Sequence, residues 1–365
     1  MNKKLMAVAV AGALAAPAVA LAQTTIYGTL KAEYGFASQP NTGANATRHD
    51  AESLNSGASN IGFRGEEKLG GGMAAWYQCE SDLRFLSGTT RTSGSICDRN
   101  SAIGLKGGFG NFYIGTWDSP IKRASGVTRI TEETGWTGSQ HMTLSSDAGP
   151  AGFSERYTQT VNYDTPNMGG FTVSAQFTSL AATRDATEVT VAEGRVIGLG
   201  AQFATGPLAV VAAYEKRDEN RADTVNVNAE DTGWLIGVRY RIGPVTLGLT
   251  YTDLEADNGT GTVIARNAWN LAGEWQIGAG AIRAGYALAD DTDVNGATVS
   301  SSGAKQYQIG YWHNLSKRTK AYAAYVKLDN DSAGVYNLTG LAAGGTNVFP
   351  GDSADVVAFG LFHTF

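Results

Sequence analysis

Basic side chains stand at alternate positions of several apolar stretches of the sequence. The bases concerned are Lys31, Arg64, Arg84 and Lys106. Acidic residues, Glu66 and Glu80 among them, share the same polar faces. The chemistry open to these residue types is electrostatic, because fixed charges of both signs around a water-filled space make a field that orients and selects dissolved ions.

Covalent and metal chemistry have little support in the sequence. The four histidines, at positions 49, 141, 313 and 363, are dispersed, and no H-E-x-x-H, C-x-x-C, G-x-S-x-G or P-loop motif occurs. A site built in space could escape such motifs, and His313 beside Asn314 is the nearest candidate, although its place close to a short turn favours an interfacial role. The sequence predicts a protein without enzymatic activity, metal or cofactor.

The first 22 residues have the pattern of a secretory signal peptide. Lys3 and Lys4 precede an apolar run that begins at Leu5, and the sequence ALA at 20–22 fits a cleavage site. The run is rich in alanine and contains Pro17, which favours a cleaved signal over a membrane anchor. We expect residues 1–22 to be removed and residues 23–365 to form the mature, exported domain.

The composition is typical of an all-β membrane protein. The chain has 47 Gly, 15 Tyr, 13 Phe and 7 Trp, which suits tight turns and aromatic girdles better than helices. Past the signal, no apolar run reaches the length of a membrane-spanning helix. The net charge of −6 becomes more negative when the signal peptide leaves, which argues against a nucleic-acid partner.

Period-2 alternation between apolar and polar residues recurs along the whole chain and predicts strands. It is clearest in residues 24–36, 59–68, 73–85 and 232–242. In "TGWLIGVRYRI" (232–242), Trp234 and Ile236 lie on the face opposite Arg239 and Arg241. Each strand therefore has one apolar face and one charged face.

Short turns and long loops also alternate, and their number fixes the number of strands. The short turns are 69–73, 107–111, 167–170, 205–207, 242–244, 277–280 and 315–318. The long loops are 37–58, 87–98, 118–153, 179–194, 218–231, 255–266, 291–304 and 329–352. Seven turns and eight loops connect sixteen strands, with the turns at one rim and the loops at the other.

A soluble all-β protein, such as a pair of stacked sandwiches, would have to bury the charged faces of these strands, which is costly. A sixteen-stranded barrel is wide enough to hold water inside. The sequence therefore predicts an all-β, antiparallel transmembrane barrel with long extracellular loops, in the lipid bilayer of an outer membrane.

The chain ends in "VVAFGLFHTF", and Phe365 shares one face with Val357, Phe359 and Leu361. A barrel in lipid can have no open edge, so this last strand is expected to pair with the first. A strand that finishes on phenylalanine also resembles the signal that the outer-membrane assembly machinery reads. We expect Phe365 to carry that signal.

Several motifs resemble the trimeric general porins of β-proteobacteria, the neisserial and Burkholderia-like group. They are "TTIYGTLKAEYGF" (24–36), "SNIGFRGEEKLGGGMAAWYQCE" (59–80), "RNSAIGLKGGFGNFYIGTWDS" (99–119) and the closing "FGLFHTF". The resemblance implies a homotrimer in the outer membrane of a Gram-negative bacterium. It also implies passive diffusion of small hydrophilic solutes and ions through a water-filled channel.

The same resemblance implies that the third long loop, 118–153, folds into the barrel and constricts it. The alternative is a flexible surface loop, but at this length a functional role is favoured. Charged residues of the loop that could line the constriction are Asp118, Lys122, Arg123, Arg129, Glu132 and Glu133. Opposite them, the wall bases would be Lys31, Arg64, Arg84 and Lys106.

The sign of the ion preference has two opposing indications. The resemblance to these porins implies a preference for anions, whereas the negative net charge favours cations. Thr116 stands where neisserial porins usually carry arginine, which weakens the basic wall. Because the net charge includes loops far from the constriction, we expect a weak preference for anions.

The two cysteines lie in the third strand and just before the fourth. A hairpin centred on Gly88 would place Cys79 directly opposite Cys97, and the periplasm is oxidising. We expect a disulfide; the alternative is two buried, unpaired thiols. Their spacing without neighbouring histidines does not make a metal site.

A general diffusion porin is the function that these observations favour. A substrate-specific outer-membrane channel is the first alternative, and it would show saturable conductance. An outer-membrane barrel enzyme or adhesin is the second, and it would conduct little or no current.

Overall fold

The structure is a computed structural model that describes residues 24–39, 49–86, 96–131, 136–144, 152–179, 194–218, 229–338 and 350–365. The expected signal peptide, residues 1–22, lies outside the described residues. No helix among the described residues is long and apolar enough to cross a membrane.

Nineteen strands and two short helices make up the described fold. The strands are β1 (Thr25–Gln39), β2 (His49–Asn55), β3 (Asn60–Gly70), β4 (Met73–Asp82), β5 (Ser101–Gly107), β6 (Gly110–Asp118), β7 (Arg156–Asp164), β8 (Phe171–Ser179), β9 (Arg195–Thr205), β10 (Leu208–Asp218), β11 (Glu230–Ile242), β12 (Val245–Asp257), β13 (Val263–Ile277), β14 (Gly280–Ala289), β15 (Thr292–Val294), β16 (Ala297–Val299), β17 (Ala304–Asn314), β18 (Thr319–Asn330) and β19 (Ser353–Thr364). The helices are α1 (Pro120–Thr128) and α2 (Gln140–Thr143).

These strands occupy sixteen positions around one antiparallel barrel, as the sequence predicts. β2 and β3 both pair with β1 and form one position in the wall, interrupted around residues 56–59. β15 and β16 form a small hairpin that touches β13, while β14 pairs directly with β17. The predicted loop 291–304 therefore contains a hairpin of its own.

The barrel closes between its first and last strands. β1 pairs with β19 from Thr29 opposite Thr364 to Ser38 opposite Asp355. Beyond this ladder, Gly28 N donates to the Phe365 carbonyl oxygen at 3.3 Å and Phe365 N to the Gly28 carbonyl oxygen at 3.1 Å. The pairing thus continues to Phe365, and the first and last strands close the barrel.

Alternation along each strand sorts apolar side chains to the outside. In β11, Trp234 is 55% exposed and Ile236 is 54% exposed, whereas Leu235 between them is fully buried. Aromatic pairs on the outer face are Tyr214 with Trp234, toward the long-loop ends of β10 and β11, and Tyr251 with Trp269, near the middle of β12 and β13. An apolar belt with aromatic borders is what a lipid-facing barrel requires.

One predicted strand is shorter than the sequence indicates, and this corrects the placement of Arg84. β4 ends at Asp82, and there the Asp98 side chain, not another strand, accepts the Asp82 N–H at 3.0 Å. Arg84 lies past that end at the long-loop rim, 57% exposed and 3.0 Å from an Asp82 carboxylate oxygen. Arg84 therefore does not line the barrel wall.

Candidate functional site inside the barrel

The segment between β6 and β7 enters the barrel. It begins at Ser119, whose side chain accepts a hydrogen bond from Lys122 N and caps α1, and proline follows at the first helical position. α1 then runs across the inner faces of β8 to β12. Its apolar side, with Ile121 fully buried, packs on a cluster that includes Val211 and Leu235 of the wall.

Glycines in the wall let α1 lie against the strand backbone. A Cβ added to Gly198 would be 2.6 Å from the Pro120 ring, and one added to Gly248 would be 2.5 Å from the Thr128 carbonyl oxygen. Any larger side chain at these places would hold the helix away from the wall. Thr128 also hydrogen-bonds Thr250 through the two hydroxyls, 2.6 Å apart.

After α1 the segment reaches the opposite side of the barrel. Gln308 of β17 donates to the Thr131 hydroxyl at 2.6 Å. Trp136 is fully buried against Gly35 of β1, where an added Cβ would lie 2.7 Å from its ring. This ring belongs to a cluster with Tyr322 of β18 and Phe362 of β19.

The segment then returns along the wall that α1 covers. Thr252 of β12 donates to the Thr143 carbonyl oxygen at 2.8 Å, and the Phe153 ring rests on Gly233 of β11. The Arg217 guanidinium lies 4.0 Å from the Phe153 ring centre and bonds Glu215 at 2.8 Å. The segment thus covers the inner wall from β8 round to β1, and the inner faces of β3 to β6 border the remaining lumen.

Asp118 ties the start of the segment to the wall. Its carboxylate lies 3.0 Å from Arg156 and 3.4 Å from Lys122, and Asn100 donates to it at 2.9 Å. Burial lowers the pKa of Lys122 from its usual value, and the nearby Asp118 charge opposes that shift. One carboxylate therefore balances two cations at this point.

A second charged cluster lies on the wall beside it. Arg99 Nε donates to Glu80 at 2.6 Å, and the Tyr27 hydroxyl donates to the other Glu80 oxygen at 3.1 Å. The Arg64 guanidinium stacks 4.9 Å from the centre of the Tyr27 ring and is exposed to the lumen. Glu80 thus bonds Arg99 and Tyr27, while the Arg64 guanidinium lies over the Tyr27 ring.

Two other predicted wall bases face inward at different heights. Lys31 of β1 has its ammonium 5.2 Å from the centre of the Phe362 ring. Lys106 lies next to the short turn between β5 and β6 and pairs with Glu66 at 2.6 Å. The structure brings Arg64 near the Glu80 cluster, through Tyr27, but leaves Lys106 at the short-turn rim.

The predicted cations of the segment between β6 and β7 also lie at different places. Arg123 on α1 donates to Asp164 at 2.9 Å and to the Tyr113 hydroxyl at 3.1 Å. Arg129 follows α1, and its backbone N–H donates to the Ser125 carbonyl oxygen at 3.1 Å. Glu132 and Glu133 lie outside the described residues.

Sequence reasoning missed Arg99, Arg156 and Arg217. Arg217 shares the inner face of β10 with Ala213 and Glu215, so alternation could have identified it. Arg156 gives no such signal, because Gln159 has a φ of 54° and breaks the alternation of β7 between Arg156 and the strand centre. Arg99 lies just before β5, where the strand pattern has not begun.

The predicted disulfide is present. Cys79 on β4 is bonded to Cys97, with their Cα atoms 4.7 Å apart. Cys97 has a φ of 63°, and its backbone N–H donates to the Ser81 hydroxyl at 2.9 Å. The bond closes the base of the loop between β4 and β5 at the long-loop rim.

Comparison with known proteins gives one consistent result. The sequence profile of the family described as Gram-negative porin matches residues 7–333. Outer membrane porin protein 32 of Delftia acidovorans is 28% identical over 373 aligned positions, which cover 100% of both chains. Major outer membrane protein P.IB of Neisseria gonorrhoeae is 33% identical over 179 positions, 48% of each chain.

Comparison with solved structures supports the fold. The solved structure of an anion-selective porin from Comamonas acidovorans superposes with a TM-score of 0.76 at 24% identity. The match covers 94% of this chain and 100% of that one. The sixteen-stranded barrel predicted from the sequence is thus confirmed.

Proposed function

The chain belongs to the Gram-negative porin family, and we propose that residues 118–153 narrow its channel to the gap beside β3 to β6. It is an outer-membrane general diffusion porin, as its relatives indicate. Small hydrophilic solutes and ions pass through its water-filled interior without an energy source. No enzymatic activity is proposed for it.

The path of the loop through the barrel is the observation that supports the proposed constriction. Ser119 to Thr128 lie on β8 to β12, and Trp136 lies on β1, so the segment crosses the barrel before it returns. Solutes must then pass between this segment and the uncovered wall. In such a gap, the charges nearest the solute decide which ions enter.

We propose that the charged side chains at this gap give a weak preference for anions. Arg64, Arg99, Arg156 and Lys122 supply positive charge around Glu80 and Asp118. Arg64 is the most exposed of these cations and faces the water. The anion-selective porin from Comamonas acidovorans, whose fold this chain shares, supports the same sign.

Three further properties are proposed, the trimer from the family resemblance and the other two from the sequence patterns at the two ends of the chain. The porin is expected to assemble as a homotrimer, to lose residues 1–22 on export, and to use Phe365 as its signal to the assembly machinery. Short turns then face the periplasm and long loops face the outside. Phe365 lies at the seam of the closed barrel, where a terminal signal remains accessible until the seam forms.

Single-channel recording in a planar bilayer under a salt gradient tests the function. We expect insertion in groups of three equal conductance steps and a reversal potential of the sign that anion preference gives. Folded barrels that insert without conducting would contradict the porin function. Single, independent conductance steps would contradict the trimer. A reversal potential of the opposite sign would contradict the proposed preference for anions.

A further inference from the structure

A polar niche lies beneath α1, on the periplasmic side of the proposed constriction. It has a volume of about 300 Å³, within the range of small-molecule sites. Its lining includes Pro120, Arg123, Asp164, Thr172, Ser174 and Gln202. These residues come from α1 and from the inner faces of β7, β8 and β9, so the niche opens into the channel.

Opposite charges stand side by side in this niche. Arg123 Nη1 donates to Asp164 Oδ1 at 2.9 Å and to the Tyr113 hydroxyl at 3.1 Å, so these two bonds use the same nitrogen. The Arg123 side chain is 34% exposed and the Asp164 side chain 24% exposed. Both charged groups can therefore meet a dissolved molecule.

The other polar groups of the niche suit a small ligand with hydrogen-bonding ends. Thr172 and Ser174 bring hydroxyls from β8, and Gln202 brings an amide from β9. Gly200 keeps the space open, because a Cβ there would lie 2.6 Å from Ser174 Oγ. The Pro120 ring gives one apolar surface at the top of the niche.

We propose that this niche is a docking site for a small zwitterion, an α-amino acid. The carboxylate of the ligand would face the Arg123 guanidinium, and its ammonium group would face the Asp164 carboxylate. An ion of one sign gains little here, because it is attracted by one member of the pair and repelled by the other. A zwitterion meets favourable charge at both ends.

The site would act on molecules that already pass through the channel, so the proposal rests on the porin function. Docking next to the constriction raises the local concentration of amino acids in the pore. At high concentration it makes their flux saturate, while the flux of solutes that do not dock stays proportional to concentration.

Flux into proteoliposomes containing the purified full-length porin tests the proposal. Three probes of similar size separate the charges: L-alanine is a zwitterion, N-acetyl-L-alanine an anion and L-alaninamide a cation. We expect saturation for L-alanine and linear flux for the other two. We expect Arg123→Gln and Asp164→Asn to raise the half-saturating L-alanine concentration at least about fivefold, close to 1 kcal/mol.

Lys106→Gln is the matched control, because Lys106 also belongs to a lumen ion pair, with Glu66, but lies outside the niche. It should leave the saturation unchanged. Linear L-alanine flux in the unmodified porin would overturn the proposal. L-alanine flux that still saturates in both niche variants would overturn it too, as would equal saturation for N-acetyl-L-alanine. Gly200→Leu, which fills the niche without removing a charge, must also abolish saturation.

The porin function and the docking site are tested separately. Proteoliposomes that pass neither ions nor any probe would contradict the porin function itself. Proteoliposomes that conduct ions and pass all three probes linearly would overturn only the docking site.

Discussion

Gly248 of β12 lies directly against the backbone of Thr128 at the end of α1: a Cβ on this glycine would be 2.5 Å from the Thr128 carbonyl oxygen. The contact joins a strand of the wall to the loop that crosses the channel. It explains why a glycine stands in the middle of a strand, where it would otherwise weaken the sheet. The position of the loop depends on the wall residues that receive it.

Gly248→Val should push α1 away from the wall and into the gap. We expect a lower and noisier single-channel conductance and a loss of stability of about 1–3 kcal/mol, the usual range for overpacking. Gly273→Val is the control, because Gly273 is on the outer face, where the nearest atom to an added Cβ is 3.3 Å away, on Leu247. Unchanged conductance in Gly248→Val would show that the loop does not set the channel width.

Arg64→Gln should move the ion preference toward cations. One unit charge about 8 Å from an ion in water contributes roughly 0.5 kcal/mol, with opposite signs for an anion and a cation, so its removal changes the anion-to-cation ratio by about sixfold at low salt and by less as salt screens it. Arg84→Gln removes the same charge at the rim, where Arg84 is 57% exposed, and should leave the ratio unchanged. Reversal potentials under a salt gradient measure both. Equal shifts in the two variants would contradict the placement of Arg64 at the gap.

Alternation predicted the barrel because lipid on one side and water on the other impose it on every regular strand. The sequence placed Lys31 and Arg64 on inner faces, and the structure has them there. The same rule would have found Glu215 and Arg217, which continue the inner face of β10. Register and face are local properties, so a single sequence carries them.

Other parts of the site depend on contacts between distant residues. The seating of Trp136 on Gly35 joins positions about a hundred residues apart, and no local pattern pairs them. The bulge at Gln159 changes which way β7 presents Arg156, and a left-handed glutamine has no sequence signature. Arg84 was misplaced because apolar alternation continues to residue 85, whereas β4 ends at Asp82, whose N–H bonds the Asp98 side chain.

The disulfide predicts the number of thiols that react with maleimide before and after reduction. Denatured, unreduced protein should react with no maleimide, and reduced protein with two equivalents, because both cysteines are in the bond. Replacing both by alanine should lower the free energy of unfolding by about 3 kcal/mol, since the bond joins residues 18 apart. Two reactive thiols before reduction would contradict the pairing. Full stability in the double variant would show that the loop base is held by other contacts.

His141 should make the stability of the loop depend on pH. It lies buried on α2, and burial, with a smaller contribution from the Arg266 charge, lowers its pKa from 6.5 to about 4. The unfolded chain therefore binds more protons than the folded chain between these two values, so folding weakens as pH falls through this window. Above pH 6.5 the histidine is neutral in both states and does not affect the free energy of unfolding. Below pH 4 the loss of free energy of unfolding has reached its full value of roughly 3 kcal/mol.

Urea unfolding of the detergent-solubilised porin at several pH values from 7 to 4 measures this slope. His141→Gln should flatten it, whatever the variant does to stability at pH 7, because glutamine cannot take up the proton. His313→Gln is the matched control, since His313 lies at the short-turn rim with its ring 3.1 Å from the Tyr311 hydroxyl, away from the loop. It should keep the slope of the unmodified protein. A His141→Gln slope as steep as that of the control would mean that the acid sensitivity of the barrel comes from its carboxylates.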